Sequence, residues 1–217
     1  MSGHTANLLA VQSEIISAGQ DEPSFIEIAR RKQIIACAID VIAELGYAKA
    51  SLAEIAKRAG VSKGVISYHF AGKRELIQQV VATVVETATA EMLPRIFAEE
   101  SVARMLRVYI ESNLEFIGSH LSQILALMSI AVSASPDDGK PVADLAAAFD
   151  PAVAELEKLF RHGQQRGEFR EFSTRVMAVT LRNAIDGLAP MLTADPNLDL
   201  KTYADELATL FDLATRK

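Results

Sequence analysis

Apolar side chains recur every three or four residues along most of the chain after Ser24, which is the spacing of one face of an α-helix. Strand-like alternation is absent, and the glycines and prolines fall between the periodic stretches. The pattern therefore predicts an all-α fold. Downstream of residue 72 the predicted helices cover residues 73–92, 101–118, 121–133, 141–148, 151–166, 173–193 and 200–215, and the cap pair Asp150 and Pro151 opens the fifth of them.

The first helix is predicted to begin at Ser24 and to end at Gly46. Ser24 and Glu27 have the spacing of a capping box, in which each side chain accepts from the other residue's backbone amide. Glycine is the residue that most often follows the last turn of a helix. The predicted buried stripe of this helix consists of Ile34, Ile35, Ala38, Ile42 and Leu45.

Two short helices are predicted next. Ser51 and Glu54 repeat the capping-box spacing and open a helix of about two turns that ends at Gly60. Ser62 is placed to cap a second short helix over residues 63–69. Helices this short are marginal alone, so they must pack against the longer helices on either side. This arrangement is a helix-turn-helix.

The elements divide the chain into three predicted parts. Residues 1–23 form a flexible or weakly docked N-terminal arm, because a short amphipathic stretch is followed there by the breaker cluster SAGQDEP. Residues 24–72 form a three-helix domain that contains the helix-turn-helix. Residues 73–217 form a larger helical domain, in which no internal repeat or low-complexity tract is found.

The charge distribution matters more than the total charge. Half of the 217 residues are hydrophobic, which is enough to bury a core, and the net charge of −6 argues at first against a nucleic-acid partner. Between Ser24 and Val80, however, nine lysines and arginines stand against five acids. The whole chain holds 22 lysines and arginines and 28 acids, so the residues outside this range hold 13 basic and 23 acidic side chains. A basic N-terminal part on an acidic body is typical of a DNA-reading module.

Several other classes of protein are disfavoured. No stretch reaches the roughly 18 consecutive apolar residues of a membrane span, and the first residues lack the basic region of a secretory leader. We therefore expect a cytoplasmic protein without a membrane partner. Cys37 has no second cysteine to pair with and no zinc-type spacing around it, so it is predicted to fill core space. No catalytic grouping, metal site or cofactor motif indicates an enzyme.

The segment from Arg31 to Leu76 resembles the DNA-binding signature of the TetR family of bacterial regulators. The matching positions are Gly46-Tyr47, Ile55-Ala56, Ala59-Gly60-Val61-Ser62, Gly64, Tyr68-His69-Phe70, and Lys73 with Leu76. The resemblance implies a homodimer on double-stranded DNA with a palindromic operator, the second short helix of each copy entering the major groove. The family often has Thr-Leu-Tyr where this chain has Val65-Ile66-Ser67, so the half-site does not carry over, and Tyr68 is the candidate replacement for the missing aromatic contact.

Eight residues are predicted to contact DNA: Ser51, Ser62, Lys63, Gly64, Ser67, Tyr68, His69 and Lys73. Ser62, Lys63 and Gly64 begin the second short helix, where unpaired amides and the helix dipole favour phosphate. Ser67 and Tyr68 share a turn with apolar residues, so their polar ends should face the groove. Ser51 and Lys73 begin helices and are expected to contact phosphates.

Some neighbouring residues keep alternative roles. His69 is equally compatible with DNA contact and with capping carbonyls at a helix end. Arg30, Arg31 and Lys32 fit phosphate contacts and a solvated rim equally well. Tyr47 is expected to pack at the corner after the first helix instead of touching DNA.

The resemblance also implies roles for the larger domain. In the family, helices equivalent to 151–166 and 173–193 pair with their copies in a dimer bundle, and both stretches are apolar on more than one side here. The predicted dimer contacts are Leu156, Phe160, Ile185 and Leu188, with an ordinary monomer core as the alternative. The predicted effector-pocket residues are Met105, Tyr109, Phe116, Met128, Met177 and Asn183, with Asn113, His120 or Asp186 as further anchors; each also fits ordinary core packing.

The sequence thus predicts a DNA-binding transcriptional regulator, in first place a dimeric repressor released from its operator by a small hydrophobic effector. The alternative is a DNA-binding protein that marks chromosomal sites and recruits a protein partner without a small-molecule ligand. A closed apolar cavity within residues 73–193 would favour the first, and an unusually full core the second. An effector regulates only if its affinity differs between the DNA-competent and DNA-incompetent states.

Overall fold

The structure, a computed structural model, describes residues 24–133 and 143–217, with side chains described for 24–133 and 152–217. Its helices are α1 (Phe25–Leu45), α2 (Leu52–Ala59), α3 (Lys63–His69), α4 (Lys73–Phe97), α5 (Val102–Ser119), α6 (Leu121–Val132), α7 (Ala143–Gln165), α8 (Thr174–Asp186), α9 (Leu188–Ala194) and α10 (Leu200–Thr215). The described ranges contain no strand, which confirms the all-α class. The predicted arm over 1–23 and nearly all of the predicted break over 133–141 lie outside the described residues.

Helix α1 begins and ends where its capping residues predict. The Ser24 hydroxyl accepts from the Glu27 amide at 3.3 Å, and the Glu27 carboxylate accepts from the Ser24 amide at 2.8 Å, so both halves of the capping box form. Gly46 ends the helix with a φ of 79°, a backbone angle that glycine adopts without strain. The prediction of a buried Leu45 is wrong, since this residue lies past the last turn that packs on the core and is 42% exposed.

Both short helices are capped as predicted, with one difference. The Ser51 hydroxyl accepts from the Glu54 amide at 3.1 Å, and Gly60 ends α2 in the left-handed conformation. Glu54 forms an ion pair with Lys57 at 3.5 Å instead of bonding back to Ser51, so only half of the second capping box forms. Ser62 caps α3.

The predicted end of α4 is wrong. The helix continues through Pro94 to Phe97, although a break at this proline was predicted. A proline removes one amide donor from a helix, and burial of Ile96 in the following turn holds the chain helical there.

Two predicted boundaries in the larger domain also differ. Helix α7 is continuous where a helix start at Asp150 and Pro151 was predicted, so the two predicted helices are one. The predicted single helix over 173–193 is divided into α8 and α9 at Gly187. Glycine lowers helix stability because it loses the most backbone freedom on folding.

The buried apolar side chains form two cores. The first core joins α1 to α4 with parts of α5 and α6; its members include Ile34, Ile42, Ile55, Ile66, Phe70, Leu76, Phe116, Ala126, Leu127 and Ile130. The second core joins α5 with α7 to α10; its members include Leu106, Ile110, Leu114, Leu156, Phe160, Phe169, Leu181, Ile185, Leu188 and Phe211. Helix α5 therefore contributes to both cores.

The four predicted dimer contacts are buried by the chain itself. Leu156 is 1% exposed, and Phe160, Ile185 and Leu188 are 0% exposed, all within the second core. The prediction is corrected for a physical reason: a side chain that is already out of water has no surface left for a partner. The buried part of the apolar stripes of these helices faces other helices of the same chain, whereas Val176 on α8 is 65% exposed.

Helices α5 and α6 meet at a sharp bend of 95°. His120 lies at this bend, where its ring stacks on Phe116 with centroids 4.2 Å apart. Among the described residues, no single helix is both long and apolar enough to cross a membrane. Only this bent pair passes that test of length and composition, and only when the two helices are taken together.

Candidate nucleic-acid interface

Helix α3 has one buried face and one exposed face. Ile66 and, just after the helix, Phe70 are almost fully buried in the first core. Six of the eight predicted DNA contacts are exposed; five of them belong to α3 and its cap, and we call this surface the α3 face: Ser62, Lys63, Gly64, Ser67 and Tyr68. Tyr68 is 73% exposed. The structure therefore brings these five residues together on one accessible surface.

The two capping serines keep the ability to donate a hydrogen bond. Ser51 accepts from the Glu54 amide at 3.1 Å, and Ser62 accepts from the Val65 amide at 3.4 Å. Capping uses a lone pair of the hydroxyl oxygen, so the hydroxyl hydrogen can still be donated to a phosphate. Both serines are exposed, which is consistent with that role.

Arg31 connects α1 to the C-terminal end of α3. Its guanidinium donates to the His69 carbonyl and to Glu75 at 3.4 Å, and its Cζ lies 4.4 Å from the centroid of the Phe70 ring. Glu75 also accepts from the Ala71 amide at 2.7 Å, and this backbone hydrogen bond, followed by Arg31, lowers the pKa of Glu75. Arg31 thus holds α3 in place, a role that its position in the sequence left undecided.

The corner after α1 is held by two later helices. The Lys73 ammonium donates to the Tyr47 carbonyl at 2.8 Å and lies 4.2 Å from the centroid of the Tyr47 ring, and burial lowers the pKa of Lys73. Ser129 on α6 accepts from the Tyr47 amide at 2.9 Å. Tyr47 packs at the corner, as expected, against the first core. The Tyr47 carbonyl uses one of the three ammonium donors of Lys73, so the predicted phosphate contact stays a prediction.

Tyr68 is hydrogen-bonded to a carboxylate at the start of α1. Its hydroxyl donates to Glu27 at 2.9 Å, while Glu27 also accepts from the Ser24 amide. The Ser24 amide and then the Tyr68 hydroxyl lower the pKa of Glu27, and Glu27 in turn raises the pKa of Tyr68. The Tyr68 proton is therefore engaged, and its oxygen offers lone pairs outward. Sequence reasoning missed this pair, which is 41 residues apart in the chain.

His69 differs from the other predicted DNA contacts. Its ring is half-buried and packs edge-on against Tyr68, with centroids 5.0 Å apart. Its carbonyl accepts from Arg31, so the end of α3 is capped by an arginine from α1. The ring therefore supports Tyr68 from the side of the core.

The predicted effector residues occupy three different environments. Half-buried side chains within the larger domain are Met105, Tyr109, Met128 and Met177. Phe116 is 4% exposed and belongs to the first core, which agrees with its alternative role in core packing, so its place in a pocket stays a prediction. Asn183 is exposed on α8, which does not fit a polar anchor inside an enclosed pocket. Helical spacing alone does not determine which side of a helix faces a neighbour.

A partly buried arginine, which sequence reasoning did not single out, connects α5 with α8. The Arg182 guanidinium donates to the Tyr109 hydroxyl at 3.0 Å and to the Asn113 side-chain carbonyl at 3.2 Å. Its Nε and one terminal nitrogen donate to the same oxygen of Asp186, at 3.0 and 2.7 Å. The Arg182 side chain is 16% exposed. Two of the alternative anchors, Asn113 and Asp186, are thus joined through this residue.

Known regulators share sequence with this chain. The family described as bacterial regulatory proteins, tetR family, matches residues 34–80. The HTH-type transcriptional regulator BetI of Ectopseudomonas mendocina is 30% identical over 168 residues, which are 73% of this chain and 79% of that protein. BetI 1 of Chromohalobacter salexigens is 36% identical over 87 residues, which are 40% of this chain and 43% of that protein. In this second alignment the chain spans less than half of the relative's length.

Solved structures share the fold over most of its length. The crystal structure of AibR in complex with isovaleryl coenzyme A and operator DNA has a TM-score of 0.72 and 20% identity, covering 83% of this chain and 97% of AibR. A transcriptional regulator from Saccharomonospora viridis in complex with choline has a TM-score of 0.72 and 22% identity, and the match covers 86% of this chain and 97% of that regulator. These similarities confirm the predicted architecture, a helix-turn-helix domain followed by a helical domain.

Proposed function

The chain belongs to the TetR family of bacterial regulatory proteins, and on that premise we propose that it is a dimeric repressor which a small molecule releases from a palindromic operator. The α3 face carries this proposal, because five predicted DNA contacts share one exposed surface above the buried Ile66 and Phe70. This surface offers an ammonium group, hydroxyls and a phenol. Such groups bind phosphates and hydrogen-bond to base edges in the major groove.

The DNA-binding part of the proposal is tested by fluorescence polarisation. Full-length protein is titrated onto a labelled duplex from the region beside its own gene, with random-sequence competitor and a series of salt concentrations. We expect binding that survives competitor and that Lys63→Ala weakens, while reducing the salt slope by about one. Lys201→Ala on α10 removes the same charge from an exposed position outside the helix-turn-helix domain and is the matched control. Equal affinity for operator and random duplex would contradict a site-specific regulator.

The proposed dimer uses a surface that is exposed in one chain. Helix α10 presents Leu210 and Leu213, which are 61% and 54% exposed, beside a surface groove of about 490 Å³ that Leu198, Tyr203 and Leu207 help to line. A second copy packed there would remove these leucines from water, and a two-fold dimer matches the two half-sites of a palindrome.

Light scattering on purified protein tests this interface. We expect the double variant Leu210→Glu with Leu213→Glu to be monomeric at concentrations where the parent protein is dimeric. Val85→Glu, at an exposed apolar position on α4, is the control and should stay dimeric. A dimeric double variant would place the interface elsewhere.

The proposed response to a small molecule rests on similarity of fold. AibR was solved with isovaleryl coenzyme A and operator DNA, and the Saccharomonospora viridis regulator with choline. We propose that this chain acts on DNA in the cytoplasm, without catalysis, and that an effector binds within its helical domain. Operator binding that no small molecule alters, together with a protein partner captured on the operator, would favour the recruiting function instead.

A further inference from the structure

Arg182 is a charged side chain in a domain that is otherwise held together by apolar packing. Taking a guanidinium out of water is costly, and an apolar residue of similar volume usually stabilises helix packing at least as well. Stability alone therefore does not account for an arginine between α5 and α8 whose side chain is only 16% exposed. Buried charges with specific polar partners are concentrated at binding sites.

The charge of Arg182 persists and is only partly balanced by its neighbours. Burial by itself lowers the pKa of the guanidinium, but Tyr109 and Asp186 more than reverse this and raise it. The carboxylate of Asp186 is 46% exposed, so water screens its attraction for Arg182. Both contacts converge on one oxygen of Asp186, whereas the strongest arginine pairs use two parallel hydrogen bonds to two oxygens.

The domain that contains this cation also holds half-buried methionines. Met105 lies one helical turn before Tyr109 on α5, and it is half-buried. Met128 and Met177, also half-buried, pack against the second core. Methionine side chains are flexible and polarisable, and they adjust to ligands of different shape. A domain that offers one fixed cation and such side chains suits a molecule with one anionic group and an apolar body.

We propose that Arg182, together with Tyr109 and Asn113, binds the carboxylate of a small amphipathic acid, whose apolar body lies against the half-buried methionines. The incoming carboxylate takes over the hydrogen bonds that Asp186 accepts through one oxygen. This inference rests on the proposed function, because it assigns the chemical class of the effector. The same guanidinium disfavours a quaternary ammonium group, so we do not expect choline to bind at this site.

Isothermal titration calorimetry on the full-length protein without DNA tests the assignment. The probes are octanoate, octanol, octanoyl-coenzyme A and choline. We expect octanoate to bind, and Arg182→Met to weaken it by about tenfold or more, because the variant lacks the charge-assisted hydrogen bonds. Octanol should bind the parent protein and Arg182→Met equally, and choline should not bind.

Two further variants separate ligand binding from folding. Arg107→Met is the matched control. Arg107 also pairs with an acid one turn ahead, Glu111, but it is more exposed than Arg182. The Arg107→Met variant should therefore bind octanoate like the parent protein. Tyr109→Phe removes only a hydroxyl and should weaken octanoate binding a few-fold while the melting temperature stays within about 2 °C. If Arg182 were purely structural, Arg182→Met would change the melting temperature but would still prefer octanoate over octanol.

Each contrary result overturns the assignment. The inference fails if octanoate does not bind the parent protein, if Arg182→Met binds it equally well, or if choline binds. Stronger Arg182-dependent binding of octanoyl-coenzyme A than of octanoate would assign the site to phosphates and overturn the carboxylate. If octanoate binds through Arg182 but leaves the operator complex intact by fluorescence polarisation, the ligand assignment stands and the proposed release from DNA fails.

Discussion

The two cores differ in where they place polar groups. Above the first core, the polar side chains of the α3 face point away from Ile66 and Phe70 into solvent. Within the second core's domain, Arg182 and Asn113 are enclosed, the latter 6% exposed. The difference matches the sizes of the proposed partners, because a DNA duplex is met on a surface whereas a small molecule is surrounded. Polar residues around the first core can thus be assigned from exposure, and those around the second only from their hydrogen-bond partners.

The largest expected effect comes from removing an aromatic ring from either core. Phe70 and Phe160 are 1% and 0% exposed, so Phe70→Ala and Phe160→Ala should each lower the free energy of unfolding by about 3–5 kcal/mol. Because α5 contributes to both cores, we expect a single calorimetric transition that both variants lower by similar amounts. Two separate transitions, each sensitive to one variant, would show that the cores unfold independently.

A smaller effect is expected from the Tyr68 hydroxyl, and it concerns specificity. Since the Tyr68 hydroxyl donates its hydrogen to Glu27, its oxygen is set to accept from the exocyclic amino group of adenine or cytosine. Tyr68→Phe should therefore weaken operator binding by about tenfold and leave the affinity for random duplex unchanged. Lys63→Ala should weaken binding to the operator and to random duplex alike. Equal losses from Tyr68→Phe on operator and random duplex, measured by fluorescence polarisation, would assign the hydroxyl to phosphate.

The hydrogen bond between α6 and the corner after α1 should contribute less. Ser129→Ala removes the acceptor of the partly buried Tyr47 amide, and we expect a loss of about 1 kcal/mol in the free energy of unfolding measured with urea. Ser122→Ala is the control on the same helix, where the side chain is exposed, and should change stability by less than about 0.5 kcal/mol. A loss no greater than that of the control would mean that water replaces the Ser129 hydroxyl.

The smallest expected effect is a change in stability at acidic pH. The pKa of Glu27 in the folded chain lies below its usual 4.5, so the ionised carboxylate stabilises the fold at higher pH. That contribution is present above pH 4.5 and is lost as the pH falls through the lower, folded pKa. Glu27→Gln should thus melt below the parent protein at neutral pH and match it in acid. A difference in melting temperature that stays constant with pH would contradict this.

Local signals explain which parts of the fold could be predicted. The ends of α1, α2 and α3 follow from capping residues that act within three positions, such as Ser24 with Glu27. The exposed α3 face follows from the apolar spacing of a single helix. Each of these interactions depends on a few adjacent residues, so the sequence is sufficient to predict it.

The remaining features depend on residues that are distant in sequence. Tyr68 meets Glu27 across 41 positions, and Arg182 meets Tyr109 across 73, so no pattern within one helix identifies either pair. The width of an apolar stripe likewise predicts burial but does not show what buries it. For this reason Leu156 and Phe160 were assigned to a dimer interface, although they pack within their own chain.

The hydrogen bond between Ser129 and Tyr47 has a consequence for building chimeric regulators. A graft that exchanged only residues 24–72 would cut through the first core, which takes Ala126, Leu127 and Ile130 from α6. The transplanted helices would then pack against α6 side chains that fit different partner residues. A transferable DNA-reading cassette from this protein therefore has two segments, α1 to α4 and the stretch from the end of α5 through α6. A design that changes operator choice has to carry both segments.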